Sequence, residues 1–172
     1  MTKLLGIALG VALLLLPMGV QAQEALTGKK IYEIDLDITG MTDYGVTMDA
    51  IMSGKAKVPL QGAQFDVAFV GTSKGVLAGK VHGVDYLVMR ADGRTDLNVH
   101  ATLETEDGQR IAAHIGGVAS PRQNEQVIDL HENIRLITAS EKYSWVNSRQ
   151  VWGVGTVNVA TGKAHIEAYM QQ

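Results

Sequence analysis

A single antiparallel β-barrel of roughly eight to ten strands is the fold this sequence predicts. Three observations carry it: short runs of alternating apolar and polar residues, glycine-bearing turns between them, and no long stretch with helical three-and-four apolar spacing. Closing such a sheet removes edges that would otherwise pair with other chains. A barrel of about eight strands also encloses room for one small ligand. The alternative arrangement of the same strands is a β-sandwich. A transmembrane barrel is disfavoured, because aromatic residues are only 5% of the chain, too few for two girdles, and outward charges would meet lipid.

The clearest strand covers residues 31–39, where Tyr32, Ile34, Leu36 and Ile38 share one face and Glu33, Asp35 and Asp37 the other. Residues 40–45 form a turn, and 46–53 suit either a strand or a short helix. Runs at 55–60 and 64–70 read as strands parted by Gly62, followed by a turn at 71–75 and strands at 76–81 and 85–89. Ala91-Asp92-Gly93 is a tight turn that needs glycine at positive φ. Residues 97–104 alternate cleanly, and Glu106-Asp107-Gly108 reverses the chain into 110–115, the best hairpin of the sequence. The polar segment 116–126 is the longest loop, with a helical turn near 124–130. Strands at 134–139, 143–147, 151–159 and 164–169 complete the set.

Residues 1–22 stand apart. Lys3 precedes a leucine-rich run over 4–16, Pro17 breaks it, and Val20-Gln21-Ala22 offers small residues to a signal peptidase. The run is short for a membrane span, so the expectation is a cleaved leader, a periplasmic or secreted protein, and no stable membrane insertion afterwards. Residues 23–172 then form one domain, large enough to hold a core without disulfides, which the absence of cysteine requires. Its charge, 14 basic against 18 acidic residues, is mild and interspersed. Nucleic acid would need a basic face, so no nucleic-acid partner is expected.

Two blocks resemble the domain-of-unknown-function 3237 family of bacterial proteins. In residues 77–108 the resemblance rests on Asp85-Tyr86, Arg90, Asp92-Gly93 and Asp107-Gly108, in that order. In residues 143–158 it rests on Tyr143, Trp145, Asn147, Gly153 and Gly155, with Val58-Pro59 and Gly62 extending it towards the N-terminus. The resemblance implies a single β-barrel-like domain and no established activity. The chain departs from the family pattern at Asn98 and His100, where an acid and an arginine are expected, and near Ile115, where an asparagine is.

Three constellations could carry chemistry. His100 and His114 flank the 106–108 reversal, and the alternation sets them opposite one another, within reach of a shared proton. With Glu104 they are the candidate catalytic residues, although two solvated histidines explain the pattern as well. No third ligand stands nearby in the sequence, so no metal is expected. The second is Trp145, Asn147 and Arg149, and the third is Arg90 with Asp85 and Tyr86; of these, Trp145, Asn147, Arg149, Tyr86 and Arg90 are the candidate ligand-binding residues. An aromatic, an amide and guanidinium groups together could hold a carboxylate or carbonyl compound. The structural alternatives are a core tryptophan, a strand-end asparagine and a turn pairing of Arg90 with Asp92. No nucleophile elbow or phosphate loop is present, and no cofactor is expected. The leading expectation is an exported barrel that binds a small, partly apolar organic molecule. The alternatives are an isomerase, cyclase or hydrolase using the same pocket, or an envelope interaction protein with no pocket.

Overall fold

Eight strands run up and down in chain order, and the first pairs with the last, so the sheet closes on itself. The computed structural model describes residues 28–171 apart from 124; the leader read over residues 1–22 lies outside the described residues. The strands are β1 (Gly28–Asp43), β2 (Ala63–Gly75), β3 (Gly79–Met89), β4 (Thr95–Thr105), β5 (Arg110–Pro121), β6 (Val127–Ile137), β7 (Val151–Asn158) and β8 (Lys163–Gln171). A short helix, α1 (Met48–Met52), follows β1, and a 3₁₀ helix (Glu141–Ser148) joins β6 to β7.

Alternation assigns the two faces as the sequence implies. Tyr32, Ile34, Leu36 and Ile38 turn inward, while Glu33, Asp35 and Asp37 join an outer ladder of ion pairs. Lys30 reaches both Glu33 and Glu167 at 2.9 Å, Lys74 and His165 meet Asp35, and Lys163 meets Asp37. Exposed pairs of this kind contribute only about 0.2–1 kcal/mol each. Their main consequence is a charged exterior around an apolar interior, the reverse of a transmembrane barrel. Irregularities in the β1 register, between Lys30 and Tyr32 and between Ile38 and Gly40, each shift the alternation by one residue. The second turns Met41 towards the interior.

The two ends differ. At one end, the β2–β3 turn, the β4–β5 turn and the 3₁₀ helix pack over a core that includes Leu77, Ile111, Leu136, Tyr143, Val146 and Val151. At the other, α1 lies against Ala63, Phe65 and Val67 through Met48 and Ile51. Thr47 caps α1, its hydroxyl accepting from the Ala50 amide.

Several local expectations need correction. Residues 143–147 are 3₁₀ helix rather than strand. In a 3₁₀ helix side chains three apart eclipse, and Tyr143 and Val146 are the buried pair. The alternation of Tyr143, Trp145 and Asn147 masks that three-residue period. Residues 55–60 form no strand, and 46–53 become α1 with its flanks. The segments read as 64–70 and 85–89 belong to longer strands, so the turn falls at 76–78 rather than at 71–75. The helical turn expected near 124–130 gives way to β6 from Val127 onward.

Candidate functional site

Inward-facing side chains leave an apolar cavity of about 180 Å³ along the barrel axis. A dry apolar cavity of about 150 Å³ is enough to hold a benzene ring. The expectation of a protein without a pocket is therefore not met. Methionines 41, 48, 52 and 89 line it towards the α1 end, together with Pro121, Ile128 and Val159. Met41 and Met52 are exposed, so this end is the mouth. The opposite end is sealed by the core under the 3₁₀ helix. Methionine is flexible and polarisable, which suits a rim that adapts to apolar shapes.

Two acids interrupt this lining. Asp85 projects from β3 between Val67 and Val99, its register partners on β2 and β4, and Glu132 projects from β6 between Gly117 and Gly153. Burial pushes the Asp85 carboxyl up to about 6, against the pull of the Asn98 amide, which donates to it at 2.9 Å. Burial pushes Glu132 up to about 7, and the neighbouring Asp85 charge adds to the rise. Among the described residues no hydrogen bond reaches the Glu132 carboxyl. Tyr32 is buried in the same wall, its hydroxyl raised by burial and by Glu132. The cavity lining holds no lysine, arginine or histidine among the described residues.

Gly153 makes room for this arrangement. A Cβ at that position would lie 3.0 Å from both the Glu132 Cβ and the Ile134 Cδ1 and would run into the carboxylate. The backbone thus gives up a side chain where an acid folds over it. Buried carboxyls without partners are costly, and perturbed acids that face one cavity mark a candidate site. Chemically, two such acids facing one cavity can differ in protonation, one donating and the other accepting.

The model of proteins of unknown function designated DUF3237 matches residues 43–171. The chain belongs to this family. No curated protein matches it. Among solved structures, a β-barrel-like protein from Acinetobacter baumannii is 18% identical, covering 88% of this chain and 99% of its own, with a TM-score of 0.69. A conserved protein of unknown function from Rhodopseudomonas palustris is also 18% identical, covering 88% and 100%, at 0.68. A protein from Penicillium herquei described only as an enzyme is 18% identical, covering 89% and 100%, at 0.57. At these identities the likeness shows the barrel fold.

Most of the residues that carried the DUF3237 resemblance build the closed end and the turns. Asp107 accepts from Thr105 at 2.5 Å and Tyr143 at 3.1 Å and pairs with Lys142 at 2.6 Å, pinning the 3₁₀ helix to the β4–β5 turn. The Asn147 amide bridges the backbone of Thr138, accepting from its N–H at 2.8 Å and donating to its carbonyl at 2.9 Å. Trp145 packs against the core of the closed end, and Arg149 is exposed at the end of the 3₁₀ helix. Arg90 pairs with Asp92 at 2.6 Å across the β3–β4 turn, where Gly93 takes the expected positive φ of 88°.

None of the five expected ligand-binding residues, Trp145, Asn147, Arg149, Tyr86 and Arg90, borders the cavity. The first three sit in or just after the 3₁₀ helix that joins β6 to β7, Tyr86 is on the outer face of β3, and Arg90 is in the turn that follows. His100 and His114 do stand directly opposite one another on β4 and β5, their ring centroids 4.9 Å apart, with Tyr86 edge-on to His100 at 5.6 Å. They face outward, because their neighbours Val99 and Ala113 face in. Glu104 lies on the same outer face and faces Arg110 at 3.7 Å. Glu33, His165 and Glu167 also cluster outside, with ligand atoms within 4.8 Å of one another, but Lys30 already bridges the two glutamates.

Glu132 went unread in the sequence, and Asp85 was read only beside Tyr86 and Arg90, never with Glu132. A signal existed in both: each acid occupies an inward position of its strand, in phase with Val81 and Leu87 on β3 and with Leu130 and Ile134 on β6.

Proposed function

We propose that the barrel binds a small, partly apolar organic molecule in its interior, entered through the methionine-rimmed mouth and oriented by Asp85 and Glu132. The observation that carries this reading is a cavity with an almost wholly apolar wall and one acid pair. An acid pair serving structure alone would be replaced to advantage by apolar residues. Its presence inside the barrel is explained if a ligand uses it.

Phenethyl alcohol, neutral and half apolar, is a direct probe. Saturation-transfer NMR should show it bound, and Ala101→Phe, which fills the cavity from β4, should abolish the signal while circular dichroism stays unchanged. Absence of binding by the native protein, or binding that survives Ala101→Phe and Ala113→Phe alike, would overturn the reading.

A second reading is that the same pocket catalyses proton transfer, as an isomerase or cyclase would. It is favoured by two carboxyls whose environments leave one ready to donate and one to accept near neutral pH. The solved Penicillium relative is described as an enzyme, which accords with it. Here Asp85 and Glu132 take the roles first assigned to His100, His114 and Glu104. The test is exchange of the α-hydrogens of phenylacetone for deuterium. Exchange above buffer that disappears in Glu132→Gln supports it; exchange equal in both does not.

We also propose that the chain is exported, on the strength of the apolar run and the Val20-Gln21-Ala22 ending. Mass spectrometry of protein recovered outside the cytoplasm should give a chain beginning at Gln23. A product that retains residues 1–22 would count against export.

A further inference from the structure

We propose that the ligand of the barrel carries a basic nitrogen, and that the cavity selects organic cations over neutral analogues and rejects carboxylates. This rests on the reading of the interior as a binding pocket and names the class of molecule it takes.

The argument is one of charge and partners. The lining offers two carboxyls, on β3 and β6, and no cationic side chain among the described residues. A carboxylate ligand would bring a third acid into an apolar space with nothing to neutralise it, and like charges there repel strongly. A neutral alcohol can donate one hydrogen bond but cannot relieve the repulsion between Asp85 and Glu132. An ammonium group donates up to three hydrogen bonds and carries the opposite charge, so it can pair with one acid while its charge also offsets the other. Glu132 in particular has no hydrogen-bond partner among the described residues. Asp85 keeps a free oxygen, since the Asn98 amide takes only Oδ1. Tyr32 and Phe69 line the same cavity, and aromatic rings there favour a cation. The other polar groups of the lining are Tyr32 on β1 and Thr95 on β4, neither of them charged at neutral pH. The apolar remainder of the cavity accounts for the rest of the ligand, a ring or short chain.

This selection leaves a protonic signature. Near pH 6.5 the empty pair retains a proton that the bound cation displaces, because the ammonium charge favours two ionised carboxyls.

Phenethylamine, phenethyl alcohol and phenylacetate share one apolar body and differ in charge. Isothermal titration with the full-length processed protein should give phenethylamine an affinity about tenfold above the alcohol, the difference between a charge-assisted and a neutral hydrogen bond. Phenylacetate should not bind. Repeating the amine titration at pH 6.5 in buffers of different ionisation enthalpy should reveal proton release. Asp85→Asn with Glu132→Gln should bring amine and alcohol to equal affinity and abolish the proton release, while alcohol binding persists as evidence that the pocket is intact. Should that double variant fail to fold, Glu132→Gln alone should still reduce the preference. Equal binding of amine and alcohol by the native protein, or tight binding of phenylacetate, overturns the inference while leaving the pocket itself standing. Failure of all three probes removes the pocket reading instead.

Discussion

The two ends of this barrel are built from different materials. The closed end is aliphatic and aromatic, with Leu77, Ile111, Val146 and Val151 wholly buried and held by directional contacts such as Asn147 with Thr138 and Tyr143 with Asp107. The mouth is methionine-rich and loosely covered; Met41 and Met52 are each 44% exposed and Leu60 is 96% exposed. Stability should therefore concentrate at the first end and ligand access at the second. Between them sits the acid pair, in which Asp85 has only the Asn98 amide as partner and Glu132 has none among the described residues. Scaffold and site are separated along one axis, as binding sites on rigid frames commonly are.

Substitutions can break this comparison, beginning with the closed end. Leu77→Ala should lower the unfolding free energy by about 2–5 kcal/mol, the usual cost of emptying a fully buried leucine site. Urea denaturation measures it, and a loss below about 1 kcal/mol would mean that the closed end is not the stabilising one.

The acid pair comes next, and its sign is definite. Asp85 and Glu132 have folded-state values raised above their ordinary ones, so the folded chain holds their protons more tightly than the unfolded chain. Their contribution is most favourable below about pH 4 and is lost as the pH rises to about 7. Each loss is on the order of 3 kcal/mol. Asp107 is held down to about 2, chiefly by Lys142, and acts in the opposite sense only in stronger acid. Urea unfolding from pH 4 to 8 should thus show falling stability, and Glu132→Gln should flatten the slope and raise stability at pH 8. A native profile flat across that range would show that the carboxyls are not desolvated.

Asn147→Ala should cost about 1–3 kcal/mol, because it strands the backbone N–H and carbonyl of Thr138. Binding of phenethyl alcohol by the folded fraction should be unchanged; loss of binding with full stability would restore Asn147 as a ligand contact. The smallest effects belong to the mouth and the outer face. Met52→Ala and His100→Ala should each change stability by less than about 0.5 kcal/mol. Met52→Ala alone should alter the affinity or entry rate of the probe. An effect of His100→Ala on binding would place function on the outer aromatic cluster of Tyr86, His100 and His114.

Much of the barrel was legible because period-two alternation depends only on neighbours along the chain. Residues 31–39 and 97–104 display both faces in their composition, and Asp92-Gly93 and Asp107-Gly108 announce their turns. The pairing of His100 with His114 followed from counting outward from a reversal. What failed was the strand read over 143–147, in the aromatic and amide-bearing segment that suggested a pocket. Tyr143 and Val146, three apart, were the evidence for a 3₁₀ cap, and only their packing over Leu77 and Ile111 distinguishes a cap from a strand.

Local sequence thus determined which residues alternate, where the chain turns and that the strands could close a barrel, since each of these depends on contacts a few residues long. Which acids meet inside the closed sheet was decided by tertiary structure. Closure sets Asp85 on β3 and Glu132 on β6 around one apolar space, although 46 positions separate them in the chain. An acid inside a barrel is the same residue as an acid outside it. Its chemistry changes only when surrounding strands take its water away.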